Sequence, residues 1–228
     1  MDYTVDAPAR ASRGTGQEIL RQLKSFIARL GAAILAVPVV LMIHEFGHLL
    51  TAITLGFHNV RLHYESVSYA DQNLFWELIQ SGAKAQAAAV SPFWKVAVME
   101  IAGPVVSLAT LFIAARWVRR CWIAAVIGVV ATWRFIAPLL FVWVNFRLAR
   151  HGIAPMQHWG MDEFDFQIVT GVSVRTTLFV ELGLITIGFV IVGRAMEKGI
   201  RVASWMAMVC GMSIGVPLYY EIGPHILP

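Results

Sequence analysis

Five consecutive residues, His44-Glu45-Phe46-Gly47-His48, have the types and spacing of a metal-dependent hydrolase. On an α-helix residues i and i+4 share a face, so both imidazoles project together and can take two corners of a tetrahedral Zn2+ site. Glu45 flanks the metal position. A zinc-bound water has its pKa lowered from about 16 to about 7; a carboxylate beside it can take its proton during attack on a carbonyl and later return it to the leaving amine. The pattern therefore points to peptide hydrolysis, with His44 and His48 as ligands and Glu45 as the base. It lies in an apolar run, Phe26 to Phe57, that is long enough to cross a bilayer. Two histidines and a glutamate are costly in hydrocarbon unless they bind something, so their depth strengthens the functional reading.

The elements that must position these residues are membrane helices. The chain has 228 residues, of which 58% are hydrophobic and only 14% charged, and its mean hydropathy is +0.67. This excludes an ordinary soluble domain, a soluble zinc peptidase included. The net charge of +4 does not mark a nucleic-acid binder, because the basic residues sit at the ends of apolar runs, where they act as membrane anchors. Segments of about 20 apolar residues span the hydrocarbon core. Five qualify: Phe26–Phe57, Pro92–Ala115, Cys121–Val144, Val172–Val192 and Val202–Tyr220. Pro38 is expected to kink the first.

The expected fold is thus an all-α polytopic membrane protein with about five transmembrane helices and a small membrane-edge β element after the first span. It forms a single integral-membrane domain over residues 1–228, with a polar N-terminal segment (1–25) and a connection at 58–91. In that connection Asn59 to Tyr69 alternates loosely and suggests a short strand or hairpin. Ala70 to Val90 reads as an interfacial helix. Cys121 and Cys210 have neither metal-ligand spacing nor a disulfide pattern and are read as free thiols. Trp94, Trp117, Trp122, Trp143 and Trp159 fall near span ends, as an aromatic belt does.

Depth follows from counting along the helices. His48 lies about 14 Å and Glu100 about 12 Å from the same membrane face. Just beyond Glu100, Ala102-Gly103-Pro104-Val105-Val106-Ser107 offers a missing side chain for close helix approach and a proline that releases a backbone carbonyl. Gly103, Pro104, Ser107 and Glu100 are therefore a candidate substrate-contacting or packing element. Glu100 faces the zinc level or pairs with Lys95. Arg134 and Glu181 are expected to pair with each other, as buried charges ordinarily do.

Taken together, the intramembrane HEFGH, its continuation LLTAITLGF, the Val60-to-Tyr69 segment and AGPVVS in the second span resemble the site-2 protease family of intramembrane zinc metalloproteases, in a short form without an appended soluble domain. The resemblance covers Ile43 to Ser107 and, more weakly, Pro155 to Phe166. It implies that His44, His48 and a distant aspartate hold Zn2+, that Glu45 is the base, and that the substrate is a membrane-spanning segment of another protein. Where the family often has an asparagine three residues after the proline, this chain has Ser107. The third ligand is sought in Pro155–Asp165. Asp162 is preferred because it begins a helix expected to continue through span four, Asp165 one turn on is the alternative, and Glu163 or His158 would also be accepted by zinc. Acidic residues in a first helical turn also complement the macrodipole without any metal.

The leading expectation is an endopeptidase in a multi-pass protein of the cell membrane, working on a helical substrate that must unwind and pair with the Asn59–Tyr69 segment. The competing readings are a non-catalytic zinc-binding membrane partner, against which an intact Glu45 argues, and a transporter, against which the lack of two related halves argues. Ten Lys and Arg lie on the N-terminal side (Arg10, Arg13, Arg21, Lys24, Arg116, Arg119, Arg120, Arg194, Lys198, Arg201) against five opposite (Arg61, Lys84, Arg147, Arg150, Arg175). This places the N-terminus in the cytoplasm by the positive-inside rule, whereas the family resemblance implies the reverse.

Overall fold

Helix α1 runs from Ala7 to Thr54, so it begins well before the apolar run that announces it. Polarity marks where the hydrocarbon starts. Whether the backbone is already helical is a separate matter, and residues such as Ala11, Glu18, Leu20, Arg21 and Lys24 are good helix formers. Pro38 lies inside α1 without ending it. The computed structural model describes residues 7–152 and 161–227; His158, Trp159 and the rest of 153–160 lie outside the described residues.

After α1 the chain forms a two-stranded antiparallel hairpin, β1 (Arg61–Leu62) against β2 (Val67–Ser68), with Arg61 opposite Ser68 and Leu62 opposite Val67. The single interfacial helix expected over 70–90 is two helices, α2 (Gln72–Gln80) and α3 (Lys84–Val90). Gly82, at φ +80°, makes the break, a conformation that glycine adopts without a Cβ penalty. Phe75 of α2 and Ala87 of α3 pack with Val96 and anchor the pair to the second span.

That span is α4 (Phe93–Trp117). The third is discontinuous: α5 (Trp122–Val130), a 3-10 turn at Trp133–Phe135, and α6 (Ile136–Arg150). A short helix α7 (Asp162–Thr170) precedes α8 (Val174–Ala195). The expectation that one helix runs from Asp162 through span four is therefore corrected. Gly171 ends α7 in the left-handed region at φ +76°, and Ser173 caps α8 by accepting from the Arg175 N–H at 3.3 Å. A 3-10 turn at Lys198–Ile200 leads into α9 (Arg201–Ile226). Among the described residues, five helical segments are long and apolar enough to cross a membrane, and the chain is an all-α multi-pass membrane protein.

Helix α1 is central, lying against both α4 and α9. Its contact with α4 uses Gly47, where a Cβ would meet the Ala102 carbonyl oxygen at 2.9 Å. Its contact with α9 uses Gly211 and Gly215, which lie against Ala33, Ile34 and Val37. Small residues let membrane helices approach closely enough for dispersion to hold them. The core, with Val37, Leu111, Val126, Val129, Val192 and Met208 fully or almost fully buried, occupies the half of the bundle nearer the N-terminal side. The buried ionisable side chains, His44, Glu45, His48, Glu100, Glu163 and Glu181, gather in the other half. Both cysteines are free and exposed.

Candidate metal centre

His44 and His48 stand one turn apart on α1 and are both buried, as is Glu45. Each imidazole is fixed through its Nδ1. His48 Nδ1 donates to the Met99 carbonyl at 2.7 Å, which leaves Nε2 with its lone pair free to bind. His44 Nδ1 lies 2.9 Å from Ser107 Oγ, and Arg134 Nε donates to His44 Nε2 at 3.4 Å. A guanidinium only donates, so His44 Nε2 is the accepting nitrogen and the ring proton is on Nδ1. Such outer hydrogen bonds set the tautomer and orientation of a metal-ligating histidine.

The third arm comes from the start of α7. Asp162 Oδ2 lies 2.9 Å from His44 Nε2 and 3.3 Å from His48 Nε2, and the two Nε2 atoms are 3.2 Å apart. Ligand atoms of a tetrahedral zinc, each about 2.0–2.1 Å from the metal, lie about 3.3 Å from one another. The chemistry agrees with the spacing. Two imidazole nitrogens and a carboxylate oxygen converge at this spacing, an arrangement that a cation held between them would satisfy. Among the described residues, His44, His48 and Asp162 are the group of three or more His, Cys, Asp or Glu that could hold a metal ion.

Gly103 explains how α4 comes so close. A Cβ there would lie 2.2 Å from His48 Nε2 and 2.5 Å from His44 Nε2, so the absent side chain is the space in which the ligand nitrogens sit. Pro104, next along, lies inside α4 and removes the N–H that would have reached the Glu100 carbonyl. Ser107, expected only as a substrate or packing element, holds His44 in place.

Arg134 is the residue that sequence reasoning placed wrongly. It does not pair with Glu181. Its Nη2 lies 3.3 Å from Glu45 Oε1 and 4.0 Å from Asp162 Oδ1, because the 3-10 turn interrupting the third span points it toward α1. The break itself was the available signal: Ala131-Thr132-Trp133-Arg134 puts a charge in mid-span, and such charges face a site or cavity. Glu181 is buried, and neither of its oxygens has a hydrogen-bond partner among the described residues. Lys95 does not pair with Glu100 either; its Nζ donates to the Leu55 carbonyl at 2.7 Å, just beyond the last turn of α1.

Glu100 instead lines a cavity of about 90 Å³ together with Glu45, His48, Arg134, Asp162 and Asp165. Ser66 and Val67 of the hairpin form another wall of it. Asp165 is thus beside the site but outside the histidine–aspartate group. Burial, with the negative charge of Asp162, pushes the Asp165 carboxyl up to about 7, and the same two causes push Glu163 up to about 8. Comparison with protein-family models, curated proteins and solved structures gave no match, and the functional reading rests on this geometry.

Proposed function

We propose that this protein is an intramembrane zinc endopeptidase of the cell membrane, of the site-2 protease kind, cleaving a peptide bond in or near a transmembrane segment of a substrate protein. The observation that carries the reading is the convergence of His44 Nε2, His48 Nε2 and Asp162 Oδ2 beside the buried Glu45. A structural zinc site needs four protein ligands and no base, whereas three ligands with a carboxylate alongside leave room for water and substrate. Zinc bound there supplies Lewis acidity toward the scissile carbonyl and lowers the pKa of its water.

The remaining work falls to the chain's own side chains. Glu45 accepts the proton of the attacking water and returns it to the leaving amine nitrogen. Arg134, already 3.3 Å from Glu45, donates to the substrate carbonyl oxygen as that oxygen gains negative charge. A fixed donor at such an oxygen contributes most where water is excluded. The substrate segment unwinds and pairs along the hairpin at Ser66–Val67, which borders the cavity.

The test is zinc content and cleavage of a membrane-spanning reporter, measured side by side. Glu45→Gln is expected to retain one zinc and lose cleavage by at least ~100-fold. Arg134→Gln is expected to retain zinc and lower kcat by ~100-fold with KM changed little, the mark of a group acting in the transition state. Undiminished cleavage by Glu45→Gln, or no zinc in the wild type, would refute the assignment.

A further inference from the structure

At the opposite end of the bundle, where α4 ends, α5 begins and the α8–α9 turn lies, is a second polar cavity, of about 490 Å³. Arg29, Arg119 and Arg120 line it. Among the described residues, no carboxylate forms an ion pair with any of the three. Glu197, also in the wall, is already engaged by Arg21 at 2.6 Å. Two of the arginines are held in place by neighbours that leave donors over. The Arg29 guanidinium bonds Ser25 and sits 5.0 Å over the Trp122 ring, and that of Arg120 sits 5.0 Å over Trp117.

Three like charges around one cavity repel unless an anion joins them, and the guanidinium fork matches phosphate oxygens in geometry and charge. Trp117 and Trp122, at the span ends, place the cavity at headgroup depth. Its other walls, Val118 and Met196 among them, are apolar, as the glycerol and first methylenes of a lipid require. We infer that this cavity binds the phosphodiester headgroup of an anionic phospholipid, which bridges α1, the α4–α5 turn and the α8–α9 turn. Basic pockets between spans recognise anionic headgroups in this way. The inference is independent of the peptidase reading.

The experiment uses the full chain, delipidated in detergent and offered phosphatidylglycerol, phosphatidylcholine or inorganic phosphate. Wild type should retain phosphatidylglycerol at least ~10-fold better than phosphatidylcholine and gain about 3 °C or more in Tm from it. Arg29→Gln/Arg119→Gln should lose that preference, while Arg147→Gln/Arg150→Gln, on the other membrane face, should keep it. If the double variant fails to fold, Arg119→Gln alone gives the same comparison. Cys121, a free thiol in the same wall, gives a second measurement: phosphatidylglycerol should slow its maleimide labelling without slowing that of Cys210. Equal retention of both lipids, equal loss in the two double variants, or a response to inorganic phosphate matching that to phosphatidylglycerol would each overturn the assignment.

Discussion

Helix α1 uses the same packing device on two sides to different ends. Toward α9, Gly211 and Gly215 admit the methyls and backbone of Ala33, Ile34 and Val37, and close approach yields dispersion only. Toward α4, Gly103 admits the Nε2 atoms of His44 and His48, and the same close approach yields a histidine–aspartate group that could hold a metal ion. What differs is the atom that fills the space. At Gly211 an added Cβ would meet the Ala33 Cβ at 2.6 Å and the Leu30 carbonyl oxygen at 2.7 Å, which cannot swing away. At Gly103 it would meet the ends of two side chains, which can, by giving up their bonds to Ser107 and the Met99 carbonyl. Stability is therefore sensitive on one side of α1 and metal binding on the other.

The largest effect is expected from the third arm. Asp162→Ala should lose zinc and cleavage together, because two imidazoles alone do not make a catalytic zinc site, whereas Asp165→Ala should keep zinc at full stoichiometry. Metal analysis of both variants decides it, and zinc retained in Asp162→Ala would move the third ligand elsewhere. Next comes Gly103→Ala. It should fold with a Tm within about 3 °C of wild type, since the imidazoles can rotate aside, but fail to hold zinc. Normal zinc content in that variant would show that α4 does not approach the histidines as closely as described.

Gly211→Ala should do the opposite. Overpacking against rigid neighbours costs about 1–3 kcal/mol, a fall of several degrees in Tm at about 2–4 °C per kcal/mol for a chain of this size, with full zinc in the folded fraction. Loss of zinc without loss of stability would erase the contrast between the two sides.

The smallest effect concerns pH. Asp165 titrates at about 7 in the folded protein against an ordinary 3.8, so between these values the folded state binds more protons than the unfolded state. Its contribution to stability is greatest below pH 4 and is lost as pH rises through 7. Asp165→Asn should accordingly stabilise the protein at pH 8 and change little at pH 4, as thermal melts at the two pH values would reveal.

The sequence by itself determined the membrane-spanning all-α class, the approximate spans, the edge hairpin and the face shared by His44 and His48, with Glu45 beside it. These follow from local periodicity and hydropathy, which neighbours in the chain impose whatever the rest of the molecule does. It also narrowed the third arm to an acidic cluster, since a helix start rich in Asp and Glu is visible without coordinates. Only the tertiary structure brought Asp162 rather than Asp165 to the imidazoles, because their three-residue spacing puts both on one helix face and the orientation of α7 against α1 makes the choice. It also turned Arg134 toward Glu45 and away from Glu181: partners for a buried charge are set by which helices touch, and the broken third span directs that arginine inward. Ser107 and the Met99 carbonyl, as the atoms that fix the two imidazoles, likewise emerge only when α4 lies against α1, since a hydrogen bond across more than 50 residues leaves no trace in local pattern.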